Sequence, residues 1–167
     1  MSRDHLDLEE EWRMEKVFNG VMFRLNGSTC VIDAMAVREI VGGAQWAPLT
    51  MEGEGSSFIE IRGKAARVVD LRELFGFSPA SGEGLNSFIA VQVPGGDRLA
   101  ALWVDTLLEL VHVPAGQMRG AEGSEIPVKF VRAIFDNDGV PVHVLRTEEI
   151  LESALQQRAL AMENKAS

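Results

Sequence analysis

Residues 58–76 read FIEIRGKAARVVDLRELFG, and this stretch decides the class of fold. Its first half predicts a β-hairpin, because short apolar runs at 58–61 and 65–69 flank the turn-forming residues 62–64. The second half predicts one short helical turn. Asp70 is placed to cap it, Glu73 stands at the capping-box position, and Gly76 supplies a stop.

Three other segments follow the same pattern of strand, turn and strand. The clearest contains Asn26-Gly27 between apolar runs, which is the strongest short-range signal for a hairpin. The other two turns are predicted at 94–97 and 136–139. Additional strands are expected at 37–41 and 107–113. Short strands at regular spacing, with few helices, are typical of barrels or sandwiches, and four similar hairpins predict an all-β fold of two small barrels packed side by side.

Polar residues follow several of the predicted return strands. Asp33, Asp70 and Asp105 are interpreted as caps of following turns, and Thr147 as the cap of a C-terminal helix. An acid–base pair among the three aspartates would require the fold to bring two of them together. The C-terminal helix carries one apolar face, which we expect to pack on the barrels; binding of a partner is the alternative.

Composition and charge narrow the class of protein. The net charge is −9 and the pI near 4.8, which disfavours nucleic acid as a partner. The single cysteine, Cys30, excludes an internal disulfide, and its apolar surroundings predict burial. The first 16 residues are acidic and lack the apolar core of a signal peptide, and no apolar stretch is long enough to span a bilayer. We therefore expect a cytoplasmic protein without direct membrane insertion.

The chain lacks the usual signatures of catalysis. His5, His112 and His143 are far apart, and none has another ligand at metal-binding spacing. Gly63-Lys64 lacks the other residues of a phosphate loop, and Gly53 to Ser57 lacks the strand-to-helix context of a nucleophile elbow. The sequence predicts no enzyme, no metal and no cofactor.

Residues 58–76 resemble the core signature of CheW-type domains. That signature has an apolar strand, Asn-Leu-Arg-Gly, a second strand containing Pro, and Asp-Leu-Arg before a turn ending in Phe-Gly. Residues 37–40 resemble the Val-x-Glu-Ile stretch of the family, and 101–105 its Gly-x-x-Val-Asp strand. The resemblance covers about residues 18–155. We therefore expect three parts of the chain. Residues 1–16 are a partly mobile N-terminal extension, residues 17–155 are the CheW-like domain, and residues 156–167 are the end of the C-terminal helix and a tail.

The resemblance implies two side-by-side five-stranded SH3-like barrels with a C-terminal α-helix and an apolar groove between the barrels. It also implies a non-catalytic signalling adaptor of bacterial chemotaxis or a related pathway. Such an adaptor couples chemoreceptor cytoplasmic tips to the regulatory domain of a CheA-type histidine kinase, with recruitment to membrane-bound receptor arrays. The alternative is a regulator or small-ligand-binding module that uses the same double barrel outside receptor arrays.

Several positions depart from the signature. The resemblance therefore predicts the fold but does not identify the partners. The signature Asn is Glu60, its Pro is Arg67, and the glycine of the later strand is Ala101. We expect Glu39 and Arg62 to form a charged pair, with two independent, solvated side chains as the alternative. Val37, Ile40, Val41 and Trp46 are expected to contribute to an apolar partner surface, with core packing as the alternative. The candidate partner-binding residues are Val37, Glu39, Ile40, Val41, Trp46, Arg62 and Gly63.

Overall fold

The computed structural model describes residues 17–45, 58–78 and 85–154. This part of the chain forms ten β-strands in two five-stranded sheets, which confirms the all-β prediction. The strands are β1 Val17–Leu25, β2 Ser28–Asp33, β3 Val37–Gln45, β4 Phe58–Ile61, β5 Lys64–Asp70, β6 Leu85–Gln92, β7 Leu99–Val104, β8 Thr106–Pro114, β9 Val131–Asn137 and β10 Val140–Leu145.

The two sheets are built on one plan. One sheet has the order β8-β1-β2-β10-β9 and is called unit A; the other has the order β3-β6-β7-β5-β4 and is called unit B. Each contains one parallel pair, β2 with β10 and β5 with β7, and its other pairs are antiparallel. Unit B is continuous from β3 to β7, whereas unit A combines the first two strands with the last three. The predicted pair of five-stranded units is confirmed.

Two-residue turns close three of the four predicted hairpins. Asn26-Gly27, Arg62-Gly63 and Asp138-Gly139 all have positive φ at both positions, between 50° and 81°. This is the backbone of a type I′ turn, which matches the twist of the flanking strands. The second hairpin turn therefore consists of Arg62 and Gly63, and Lys64 already belongs to β5.

The core explains why the central strands are apolar on both faces. Alternate residues of β1, β2, β6 and β7, such as Phe23, Ile32, Ile89 and Leu102, meet in one large cluster that spans both units. The residues between them, such as Val31, face a second cluster inside their own unit. Burial on two faces produces near-continuous apolar runs instead of strict alternation. The shared cluster also means that neither sheet buries its apolar surface alone.

Two helical segments follow the parallel strands. The first, α1 Leu71–Leu74, is capped as predicted, because Asp70 Oδ1 accepts from the Arg72 N–H at 3.0 Å. The second, α2, is described over 147–154, and its apolar residues Ile150, Leu151 and Ala154 pack into the shared core. The prediction that the apolar face of this helix packs on the barrels is confirmed for these residues.

Two of the predicted caps are wrong. The helix α2 already includes Thr147, and the Arg146 carbonyl accepts its first hydrogen bond, from the Ile150 N–H at 3.1 Å. Thr147 is therefore the first helical residue and is buried. Asp105 caps no turn, because β8 begins at the next residue, and its carboxylate binds other parts of the chain instead.

Candidate functional site

The predicted pair of Glu39 and Arg62 is confirmed. Arg62 Nε lies 2.8 Å from Glu39 Oε2, and the two side chains are 81% and 26% exposed. Glu39 comes from edge strand β3 and Arg62 from the turn between β4 and β5, so the pair joins the two opposite edges of the sheet of unit B. An ion pair this exposed contributes only about 0–1 kcal/mol to stability. Its larger effect is to fix an arginine on the surface beside β3.

A shallow pocket of about 260 Å³ lies directly beside this pair. Buried Ile61 and half-buried Leu99 supply its apolar part. The pocket is rimmed by polar and charged side chains, which are Arg38, Glu39, Arg62, Lys64, Gln92 and Asp97. Three cations face two carboxylates, although the whole chain has a net charge of −9. The arrangement can hold an apolar side chain while its rim contacts carboxylates or polar groups.

The predicted apolar surface is only partly present. Ile40 is 43% exposed, so it is available to a partner. Val37 and Val41 are half-buried and pack against the shared core and the core of unit B, respectively. Gly63 is exposed in its turn, with φ of 79°. Trp46 lies outside the described residues.

Sequence reasoning missed the hydrogen bonds that hold the rim in place. Arg38 Nη1 donates to the Met35 carbonyl at 3.0 Å, and Arg38 Nε donates to Gln92 Oε1 at 3.2 Å. Gln92 Nε2 in turn donates to the Gly96 carbonyl at 2.7 Å. Met35, in the short 3₁₀ turn Ala34–Ala36, is 81% exposed. The one signal in the sequence is that Met35 lies two residues after the predicted cap Asp33.

A second ion pair occupies the corresponding place in unit A. Beyond β8, Arg119 forms a backbone bridge with Ile134 of β9, and its Nη1 lies 2.8 Å from Asp136 Oδ2. This pair links Arg119, on the segment that follows edge strand β8, to the other edge strand of unit A, β9. The distance between nitrogen and oxygen is 2.8 Å in both ion pairs, and the pairs lie in different units. Arg119 is therefore a matched control for Arg62.

Both described histidines form hydrogen bonds with neighbouring strands. His112 Nδ1 is hydrogen-bonded to Asn19 Oδ1, and buried His143 Nδ1 donates to the Thr29 carbonyl at 3.1 Å. Across residues 17–45, 58–78 and 85–154, no three His, Cys, Asp or Glu side chains converge as metal ligands would. No helix in these ranges combines the length and the apolar character needed to cross a bilayer.

Comparisons with known proteins identify the family from the sequence and support the fold from a solved structure. The sequence profile of the CheW-like domain matches residues 19–155. Among solved structures, the scaffolding protein TtCheW from Thermoanaerobacter tengcongensis superposes with a TM-score of 0.68 at 19% sequence identity. That match covers 90% of this chain and 93% of the other. A search of curated proteins found no match. With the profile spanning both five-stranded units, the chain belongs to the family of CheW-like domain proteins.

Proposed function

We propose that this protein is a cytoplasmic, non-catalytic signalling adaptor that couples chemoreceptors to a CheA-type histidine kinase at membrane-bound receptor arrays. The observation that carries the proposal is the Glu39–Arg62 pair. It joins the two segments that resemble the family signature most closely, residues 37–40 and 58–76, on one surface beside exposed Ile40. A surface of this kind is suited to binding, since it offers an apolar contact beside paired charges.

The receptor side of the proposal uses the surface around the pair. A receptor's helical hairpin tip would place an apolar side chain against Ile40 or in the adjoining pocket, as in helix-in-groove recognition. Arg62 would contact a carboxylate or a backbone carbonyl near that side chain. Such a contact is modest in affinity, and many copies in an array supply avidity. The kinase regulatory domain would bind a barrel end through a separate surface.

Reversing the charge of Arg62 tests whether the receptor and the kinase bind separate surfaces. We expect Arg62→Glu to weaken binding of a receptor cytoplasmic hairpin about tenfold, equivalent to about 1.4 kcal/mol. The new carboxylate would face Glu39 across the former ion pair and repel an acidic partner. Binding of the kinase regulatory domain should change less than about twofold, as a surface elsewhere on the molecule would predict. Titration calorimetry with each purified partner measures both affinities.

Arg119→Glu is the matched control, because it makes the same change in an ion pair of the same 2.8 Å length in unit A. It should leave receptor binding at the wild-type value. If Arg62→Glu lost neither interaction, or if the wild-type protein bound no kinase regulatory domain, the adaptor assignment would be wrong. The pocket of about 260 Å³ would then favour the regulator or small-ligand-binding module.

A further inference from the structure

The chain crosses between the two units twice, and an aspartate stands at each crossing. Asp33 ends β2 in unit A, and the 3₁₀ turn Ala34–Ala36 leads to β3 in unit B. The Asp33 carboxylate serves that turn locally, accepting from the Met35 N–H at 2.9 Å. The return crossing has no turn, since Asp105 alone separates β7 in unit B from β8 in unit A.

Asp105 is held from both sides of this crossing. Its backbone N–H donates to the Arg24 carbonyl at 3.0 Å, and its Oδ2 accepts from the Asn26 N–H at 2.7 Å. Both partners belong to the β1–β2 hairpin of unit A. From unit B, Arg72 donates through Nε to Oδ1 at 2.8 Å and through Nη2 to Oδ2 at 3.0 Å. We call Arg24, Asn26, Arg72 and Asp105 the clasp.

The position of Arg72 follows from the parallel pairing of β5 with β7. Parallel strands end at the same edge of a sheet, and here Asp70 lies opposite Trp103. The helical turn α1 starts directly after Asp70, so it places Arg72 over the end of β7. The Asp105 hydrogen bond raises the pKa of the Arg72 guanidinium. Both side chains are about three-quarters shielded from water, at 25% and 28% exposure.

A two-pronged hydrogen-bonded ion pair is directional, whereas the apolar core between the units is not. We propose that the clasp locks the crossing at Asp105 and thereby sets the orientation of unit A relative to unit B. Arg72 and Asp105 are then positioning residues. We call this fixed orientation the lock. If the protein has the proposed adaptor function, on which this step rests, the lock holds the two partner surfaces in the geometry that allows both partners to bind at once.

A spectroscopic distance between the units tests the lock without any partner. Nitroxide labels at Glu60→Cys and Arg132→Cys would report from exposed sites on the outermost strands β4 and β9. Native Cys30 is completely buried and would stay unlabelled. We expect Arg72→Ala to broaden the distance distribution about twofold and to speed amide exchange at Asn26 about tenfold. Arg119→Ala, which removes an ion pair within unit A alone, should change neither.

An unchanged distribution and unchanged exchange in Arg72→Ala would overturn the lock. Should that variant fail to fold, Asp105→Asn replaces it, because the amide keeps the shape of the carboxylate and loses its charge. Asp105→Asn must then broaden the distribution, and an unchanged one again overturns the lock.

Partner binding gives a separate readout. With the lock loosened, each partner alone should bind within about twofold of wild type, while the joint complex weakens about tenfold. An unaltered joint complex would remove the functional part of this inference. Failure of the wild-type protein to bind either partner would instead refute the adaptor function, and the label distances would still decide whether the lock exists.

Discussion

Cys30 is a buried thiol whose ionisation is linked to folding. It lies in β2 with no exposed surface, between Phe23 of β1 and His143 of β10. Burial, with a smaller contribution from the negative charge of Asp105, raises the pKa of the Cys30 thiol from 9.0 to about 12. A thiol that stays protonated at physiological pH and is screened from solvent reacts poorly with oxidants and alkylating agents. Cys30 therefore acts as a small apolar side chain of the shared core.

The raised pKa predicts a loss of stability at alkaline pH. The unfolded chain releases the thiol proton near pH 9, whereas the folded protein retains it to about pH 12. The folded state binds more protons in this interval, so the free energy of unfolding decreases as pH rises above 9. Between pH 8 and pH 10 we expect this group to lower it by about 1.4 kcal/mol.

Urea unfolding of wild type and Cys30→Ala at several pH values isolates this contribution, because all other titrating groups are common to both proteins. The difference between the two curves should be constant below pH 9 and shrink above it. A difference that stays constant up to pH 11 would show that the folded thiol ionises normally.

Among the elements, α2 is tied to unit B by an arginine that replaces the usual proline of the family signature. Arg67 Nη2 donates to the Ala154 carbonyl at 2.9 Å. The strand that carries Arg67, β5, belongs to unit B, whereas α2 follows β10 of unit A. Proline at this position has no side-chain donor, so this bond is a property of this chain and not of the signature.

We expect Arg67→Ala to destabilise the protein by about 1–2 kcal/mol, since a half-buried hydrogen bond from a charged donor is lost. The free energy of unfolding in urea measures the total effect, and amide exchange over 147–154 locates it. Arg132→Ala, at an exposed position of β9, should change the free energy by less than about 0.5 kcal/mol. Equal effects from the two substitutions would mean that Arg67 does not anchor α2.

The elements themselves could be predicted from sequence, because their signals are local. Asn26-Gly27 and the alternating runs around it determine a hairpin regardless of the rest of the fold. The pairing of hairpins into sheets could not be predicted from these signals. It depends on the parallel contacts of β2 with β10 and of β5 with β7, which join strands that no turn connects.

The same distinction separates the correct from the wrong site predictions. Asp70 caps α1 because a helical turn follows it at once, which a capping-box pattern reveals. Asp105 looks similar in sequence, but its partners are Asn26 and Arg72, which only the packed units bring near. The Glu39–Arg62 pair was predicted because family resemblance located both residues. The hydrogen bond between Arg38 and Gln92 could not be predicted, because neither a local pattern nor the family signature places these two residues together.

For the whole molecule, the interleaved topology makes the two units one folding unit. Unit A needs strands from both ends of the chain, and the shared core draws residues such as Phe23 and Leu25 from one sheet and Leu102 from the other. Separating the sheets would expose that cluster to water at roughly 25 cal/mol for each Å² of apolar surface. Small domains have total stabilities of only about 5–15 kcal/mol, so neither sheet can lose this contact and remain folded.

We therefore expect the fragment 34–105, which contains every strand of unit B, to be unfolded in isolation. The intact chain should unfold in urea in a single transition. Its midpoint should be the same by Trp fluorescence and by amide exchange in β9 and β10 of unit A, because coincident probes mark two-state behaviour. Circular dichroism of the fragment and these two probes on the full chain make the test. A cooperative transition in the fragment would show that unit B is stable alone. Two separate midpoints in the intact protein would show that the two units fold independently and that the core between them only joins two domains.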